Sequence, residues 1–353
     1  MTKPKVKPVV VDDTPVDNGM ALVQAARRIN DLNKRNTTLV RENQQLHKRV
    51  SEVEVKADYM KVINRDWIEA HNWEKLKPSG NSTAILVLSD WHYEERVDPA
   101  TVGKKNCYTP AIASKRVKNV FQKTVELVEA FRHLTEIDEL VIAVLGDMIT
   151  GYIHEELVES NWLSPTEACL EVQDLLVSGI DFLQKELKPK SIIIPTAFGN
   201  HGRTTAKSRI STGYANSYEW LMYQQLAWHY EKIGSPIRWK VGRGYHNVLN
   251  VQGHKVRFHH GDAIRYSGGV GGITIPVNKA IAAWNKAERA DLDVFGHYHT
   301  SKDDAWWVSN GSLMGYNPFS VAIKAEYETP SQSLILVNAK RGKIISTRVF
   351  GED

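Results

Sequence analysis

SIIIPTAFGNHGR, residues 191–203, decides the fold. Three isoleucines open it, and a short β-branched run bounded by turn residues reads as a buried strand. The run stops at Gly199, and Asn200, His201, Gly202 and Arg203 follow at once. Asparagine beside glycine marks a turn. A bare turn needs neither the histidine nor the arginine, so the end of this strand carries something more than a reversal of the chain.

Four other stretches are built alike. AILVLSD (84–90), ELVIAVLGD (139–147), KVRFHHGD (255–262) and DLDVFGHYH (291–299) are apolar runs that stop at polar residues. At their ends stand Asp90 and His92, then Asp147, then His259, His260 and Asp262, then His297 and His299. In an open α/β sheet the carboxyl ends of the strands line the ligand crevice. Residues far apart in sequence therefore converge at one edge. Taken singly, Asp-x-His, Gly-Asp or Gly-Asn-His is an ordinary turn. Five such ends in one chain are not expected of unrelated turns. Histidine and aspartate together make a mixed nitrogen and oxygen donor set, suited to manganese, iron, zinc or nickel more than to calcium or magnesium. Segments 112–135 and 165–187 read as helices. AWWVSNG (305–311), SLILVN (333–338) and KIISTRVF (343–350) read as antiparallel strands closing a second sheet.

The N-terminal part has a different texture. Residues 1–20, rich in Pro, Lys, Asp and Val, read as a disordered tail. Residues 21–76 read as a coiled-coil helix. Leu32, Leu39, Leu46 and Val53 recur every seven residues as d positions, and Ile29, Asn36, Asn43 and Val50 as a positions. Leu22 and Ala57 extend the a series and Met60 the d series. A buried asparagine at a is satisfied by its twin in the same layer, which favours a parallel, in-register homo-oligomer through residues 22–60, a dimer first. Arg49 at g faces Glu54 at e of the partner helix in that register. A single helix docked on a globular core would want a wider apolar stripe. Arg27, Arg28, Lys34 and Arg35 read as a solvated face and not as a DNA-reading basic region. Residues 77–82 read as a linker, and 83–353 as the second domain.

Bulk properties set the class. A hydrophobic fraction of 42% and a charged fraction of 24% are those of a soluble globular chain. The apolar runs are strand-sized and too short for a bilayer, and the N-terminus does not read as a signal peptide. Cys107 and Cys169 stand far apart in no metal-type spacing, which suits a reducing cytoplasm. The net charge of +4 permits a nucleic-acid partner without demanding one.

The series SDWH, GD, GNH, HHGD and GHYH resembles the calcineurin-like metallophosphoesterase superfamily over roughly residues 84–350. GDMITGYIHEEL with GNHGRTT is similar to a phage-type branch related to SbcD-type DNA repair exonucleases. The resemblance implies an α/β fold of two stacked mixed sheets flanked by helices, with two divalent metals about 3.5–4 Å apart, manganese first. It implies that Asp90, His92 and His299 hold one metal, that Asn200, His260 and His297 hold the other, and that Asp147 bridges them. His260 is taken before His259 because the family ligand directly precedes glycine, and because adjacent strand residues face opposite ways. A hydroxide between the metals is the implied nucleophile, and His201 the implied proton donor.

The sequence departs from the family after His201. Gly202 stands where Asp or Glu is usual, so His201 must be oriented from elsewhere, with Glu155, Glu156 and Asp262 as candidates. Gly199 and Gly202 are expected to let the backbone turn sharply. Arg203 is expected to meet a phosphate oxygen. The implied activity is a DNA phosphodiesterase or nuclease in the cytoplasm, that of a host if the chain is phage-encoded. The glycine-rich loop 267–276, the basic residues Lys207, Arg209, Arg243 and Arg265, and the aromatics Trp91, Tyr152, Trp162, Trp306 and Trp307 are candidates for substrate contact. The alternatives are a phosphomonoesterase acting on a nucleotide or phosphoprotein, and a coiled-coil scaffold with a non-catalytic phosphoesterase domain. The complete ligand set counts against the last.

Overall fold

The computed structural model describes residues 18–62, 78–266, 268 and 271–352. The chain divides into two units, Met1–Trp73 and Glu74–Asp353. In the first, α1 runs Asn18–Val62. It begins three residues inside the stretch expected to be tail. The rest of that stretch, and residues 63–76 of the expected helix, lie outside the described residues. Every side chain from Gly19 to Asp58 is exposed, the a and d residues included.

The second unit runs β1 (Asn81–Leu88), α2 (Pro110–Arg132), β2 (Glu136–Val144), α3 (Glu155–Ser160), α4 (Pro165–Leu187), β3 (Ser191–Thr196), α5 (Tyr218–Lys232) and β4 (Ile237–Val241). It continues with β5 (Asn247–Val251), β6 (His254–Phe258), α6 (Thr274–Trp284), β7 (Leu292–Phe295), β8 (Lys302–Asp303), β9 (Trp307–Ser309), α7 (Pro318–Ala322), β10 (Ser331–Asn338) and β11 (Gly342–Phe350). Local chemistry sets the helix starts. Thr109 and Ser164 cap α2 and α4 with their hydroxyls, each ahead of a proline in the first turn, and Ser164 with Glu167 forms a capping box.

Two sheets result. The first has the order β11-β10-β1-β2-β3-β4, with β1 to β4 parallel and β10 antiparallel to both β1 and β11. The second has the order β5-β6-β7-β9-β8, with β6, β7 and β9 parallel. β1 shows how they stack. Its odd-numbered Ile85 and Val87 join Val141, Val256, Phe258, Val294 and Ile335 between the sheets. Its even-numbered Ala84, Leu86 and Leu88 pack under α2, α4 and α5 against Phe121, Leu176 and Tyr223. Both faces are buried, which is why the run AILVL shows no alternation. Val277 and Ile281 of α6 cover the second sheet against Phe295 and Trp307.

The expected fold of two mixed sheets flanked by helices is the one observed, with four differences in detail. SLILVN and KIISTRVF extend the first sheet beside β1 and do not close the second. AWWVSNG gives β9, parallel to β7. Residues 274–276 of the expected glycine-rich loop are the first turn of α6. β1 also starts at Asn81, inside the expected linker. Among the described residues no helix is long and apolar enough to cross a membrane.

Candidate metal centre

The parallel pairing of β1 and β2 continues past the strand ends. Leu145 N donates to Leu88 O, Asp90 N to Gly146 O, His92 N to Asp147 O and Tyr93 N to Met148 O, at 2.8–3.1 Å. This lacing bends the backbone into the left-handed region at Asp90 (φ 54°), His92 (φ 45°) and Asp147 (φ 50°). His297 (φ 72°) and His299 (φ 54°) after β7 adopt it too. Five of the seven expected ligands thus hold a conformation that non-glycine residues rarely take, and such positions concentrate at functional sites.

The side chains converge. Asp90, His92 and His299 form one group of donor atoms within 4.8 Å of one another, and Asp147, His260 and His297 form another. A third group, His92, Asp147 and His201, lies between them. His92 Nε2 is 3.1 Å from His299 Nε2, and His299 Nε2 is 3.5 Å from Asp90 Oδ1. Asn200 Oδ1 is 3.2 Å and Asp147 Oδ2 2.9 Å from His260 Nε2. Asp90, His92, Asp147 and His260 are buried, while Asn200, His201, His297 and His299 are partly exposed and mark the open side.

His260 tests whether these donors suit a cation. Its Nδ1 lies 2.7 Å from Leu145 O, a carbonyl, so Nδ1 carries the proton. Its Nε2 then faces two oxygen acceptors. That arrangement needs positive charge at Nε2, either a second proton or a metal ion. Burial pushes this ring's pKa down, but Asp147, Asp90 and Asp262 outweigh it and hold it well above the usual value. Burial also pushes Asp147 up, yet His260, His201 and His92 bring it well below the carboxylate range. A histidine that gives its other N–H to a carbonyl has the arrangement usual for a metal ligand. Burial lowers His92 strongly, with His201 and His299 adding to it, and lowers His297 to about 4. Neutral imidazoles of this kind offer lone pairs to a metal. The residues present fit divalent cations, and Asp147 belongs to two of the three donor groups.

His259 and His260 point opposite ways. His259 stacks on Phe295 at 5.0 Å between ring centres, and its Nε2 is 3.5 Å from Asp293 Oδ1. That is too long for a good hydrogen bond. Asp293 is instead held by Arg257 at 2.7 and 3.0 Å. Of the two rings, His260 is the one that meets Asp147 and Asn200.

His201 is oriented by a group outside the expected set. Its Nδ1 is 2.9 Å from Thr150 O, and its backbone N–H donates to Asp147 Oδ1 at 2.8 Å. No hydrogen bond joins it to Glu155, Glu156 or Asp262. The glycines also act otherwise than expected. Gly199 and Gly202 are not left-handed. A Cβ on Gly199 would lie 2.0 Å from Asp147 Oδ1, so glycine is required there by close approach and not by a turn. Arg203 faces its own loop. Its Nε donates to Thr205 O, and its two terminal nitrogens to Asn200 O and Ala206 O, at 2.8–3.3 Å. The guanidinium thereby staples the chain beside Asn200.

The sequence reading missed a layer of buried acids. Glu94 accepts from Thr150 N and Gly151 N at 2.8–3.0 Å, and so fixes the carbonyl that holds His201. Glu95 accepts from Asn317 at 2.8 Å and lies 3.9 Å from His92 Nδ1. Glu219 accepts from Met148 N and Gly199 N. Glu94 and Glu95 directly follow SDWHY and could have been noticed there. Glu219 sits in α5 with no signal in the sequence around it. Of the aromatics, Trp91 and Trp307 are core, whereas Tyr152, Trp162 and Trp306 are exposed. Lys207, Arg209, Arg243 and Arg265 are exposed.

No family model and no curated protein matches the chain. Similar solved structures include a hypothetical protein of Pyrococcus horikoshii OT3, 12% identical over 77% of this chain and 89% of that one, with TM-score 0.38. A dimetal phosphatase of Danio rerio is 8% identical over 76% and 99%, with TM-score 0.34. Phosphopantetheinyl hydrolase of Mycobacterium tuberculosis is 11% identical over 66% and 91%, with TM-score 0.28. Likeness at this level carries no argument about chemistry, which rests on the donor geometry.

Proposed function

We propose that the chain is a two-metal phosphoesterase of the calcineurin-like kind, and that its substrate is a phosphodiester of DNA. The observation that carries the reading is the chain of three overlapping donor groups, in which His92–Asp147–His201 shares His92 with Asp90 and His299 and shares Asp147 with His260 and His297. Asp90, His92 and His299 would hold one divalent cation and Asn200, His260 and His297 the other, manganese before iron, zinc or nickel. Such cations supply Lewis acidity toward phosphoryl oxygens and lower the pKa of water toward ~7. Asp147 offsets the repulsion between two like charges. His201 keeps its Nδ1–H on Thr150 O, which leaves Nε2 facing the site; as the imidazolium it would give the Nε2 proton to the departing oxygen and be left as the neutral Nδ1–H ring. Arg203 acts by holding the Asn200 loop.

The choice of DNA, and of the branch similar to SbcD-type exonucleases, rests on the sequence resemblance and on α1. Its exposed a and d stripe would pair two copies in parallel, and two paired catalytic units suit a duplex. The free cysteines Cys107 and Cys169 agree with work in a reducing cytoplasm.

The test is hydrolysis by chelated protein resupplied with Mn²⁺. Bis-p-nitrophenyl phosphate, p-nitrophenyl phosphate and end-labelled DNA are run side by side. Cleavage of the diester and of DNA with little monoesterase activity supports the proposal. Fast monoester turnover with intact DNA replaces it with a phosphatase. Silence on all three despite bound metal leaves the scaffold reading.

A further inference from the structure

The acid layer contains one residue whose contacts join the two loops that carry Asp147 and Asn200. Glu219 is fully buried in the first turn of α5, a turn that Ser217 caps from its side chain. Its Oε1 accepts from Met148 N at 2.6 Å, next to Asp147. Its Oε2 accepts from Gly199 N at 2.7 Å, next to Asn200. Each oxygen thus satisfies one buried backbone donor on a different strand-end loop.

Gly202 meets the same carboxylate from the other side. A Cβ built there would lie 2.6 Å from Glu219 Cγ, 2.9 Å from Cδ and 3.2 Å from Oε2. The volume a side chain at 202 would enter is the volume this glutamate fills. Gly202 is not left-handed, so no backbone constraint excludes a side chain.

We propose that Glu219 is a positioning residue for the metal centre: its carboxylate clasps the Asp147 and Asn200 loops together, and position 202 is glycine to leave room for it. The proposal rests on the metal centre argued above, but the clasp itself can be read without metal. Glutamine at 219 keeps the shape and turns one oxygen into an N–H donor, which opposes Met148 N or Gly199 N and breaks one of the two bonds. Alanine at 219 breaks both and empties the space beside Gly202. A glutamate introduced at 202 then has its carboxyl carbon two bonds beyond a Cβ that lies 2.9 Å from the old one, within reach of the same donors.

The experiment uses the full chain with four substitutions: Glu219→Gln, Glu219→Ala, Gly202→Glu, and Gly202→Glu combined with Glu219→Ala. Amide exchange at Met148 and Gly199 in metal-free protein reads the clasp. Mn²⁺ titration followed by electron paramagnetic resonance reads the site. We expect faster exchange at one of the two amides in Glu219→Gln and at both in Glu219→Ala, with a roughly 10–100-fold loss of Mn²⁺ affinity, the size usual for groups that hold ligands in place. Gly202→Glu alone should be impaired by the clash, and the double variant should recover protection and affinity. Glu219→Gln with wild-type exchange and affinity would overturn the proposal. So would loss in Glu219→Ala without recovery in the double variant, if Glu219→Gln is unaffected, because that assigns Glu219 to packing. Wild-type protein that binds no Mn²⁺ defeats the functional reading, while amide exchange still decides the clasp.

Discussion

The helix α1 and the strand-end edge of the second unit are opposites in how they satisfy their own chemistry. Along α1 every side chain from Gly19 to Asp58 is exposed, and leucines such as Leu39 and Leu46 stand about 60% and 58% open. At the strand ends Asp90, His92, Asp147 and His260 are closed to solvent, each with polar partners from other elements. The repeating segment leaves its apolar stripe exposed, and on the pairing proposed above a second copy covers it. The polar segment is completed within one chain by loops distant in sequence. A simple repeat can be matched by a copy of itself, whereas donor groups drawn from several strand ends need a specific sheet to assemble them.

Five experiments bear on that contrast. Asp147→Asn removes the shared charge and should reduce diester hydrolysis to background while the assembly state stays that of the wild type. Loss of both together would mean that the two regions depend on each other. His201→Ala should keep its metals, measured by elemental analysis, and slow turnover by roughly 10²–10⁴-fold. Stripped metals would make His201 a ligand. The adjacent histidines sharpen the contrast within one strand end. His260→Phe should lose metal, whereas His259→Phe should keep metal and turnover. Equal effects on metal content would show that the inward face is assigned wrongly.

On the helix side, Leu39→Asp with Leu46→Asp should convert a dimer to a monomer in sedimentation equilibrium, with small-diester turnover unchanged. A monomeric wild type would end the pairing proposal. The smallest effect is expected at Arg203. As a staple of its own loop, its change to alanine should cost less than about tenfold in kcat/KM. A loss near 10²–10³, the size found when a group on the developing negative charge is removed, would place it on the phosphate after all.

Much of the site could be read in the sequence because it stands where strands end. A buried strand writes itself as an apolar run, and the first polar residues after it are conspicuous. That holds for Asp90, Asp147, Asn200 and His297. The supporting layer could not be read in the same way. Glu219 lies in a helix among Tyr218 and Trp220, and its partners Met148 and Gly199 contribute only backbone N–H groups. Backbone donors leave no trace in residue identity. The carbonyl of Thr150, which holds His201, is hidden for the same reason.

The sequence by itself determined the two-part organisation, the heptad period of the N-terminal helix, the sheet-forming runs and the donors at their ends. These depend on side-chain chemistry and spacing, which are written residue by residue. Only the tertiary structure decided which sheet receives β10 and β11, which of His259 and His260 faces inward, what holds His201, and where Arg203 points. Each of those depends on strand order or on a backbone group brought from a distant loop, and neither has a local signature in the chain.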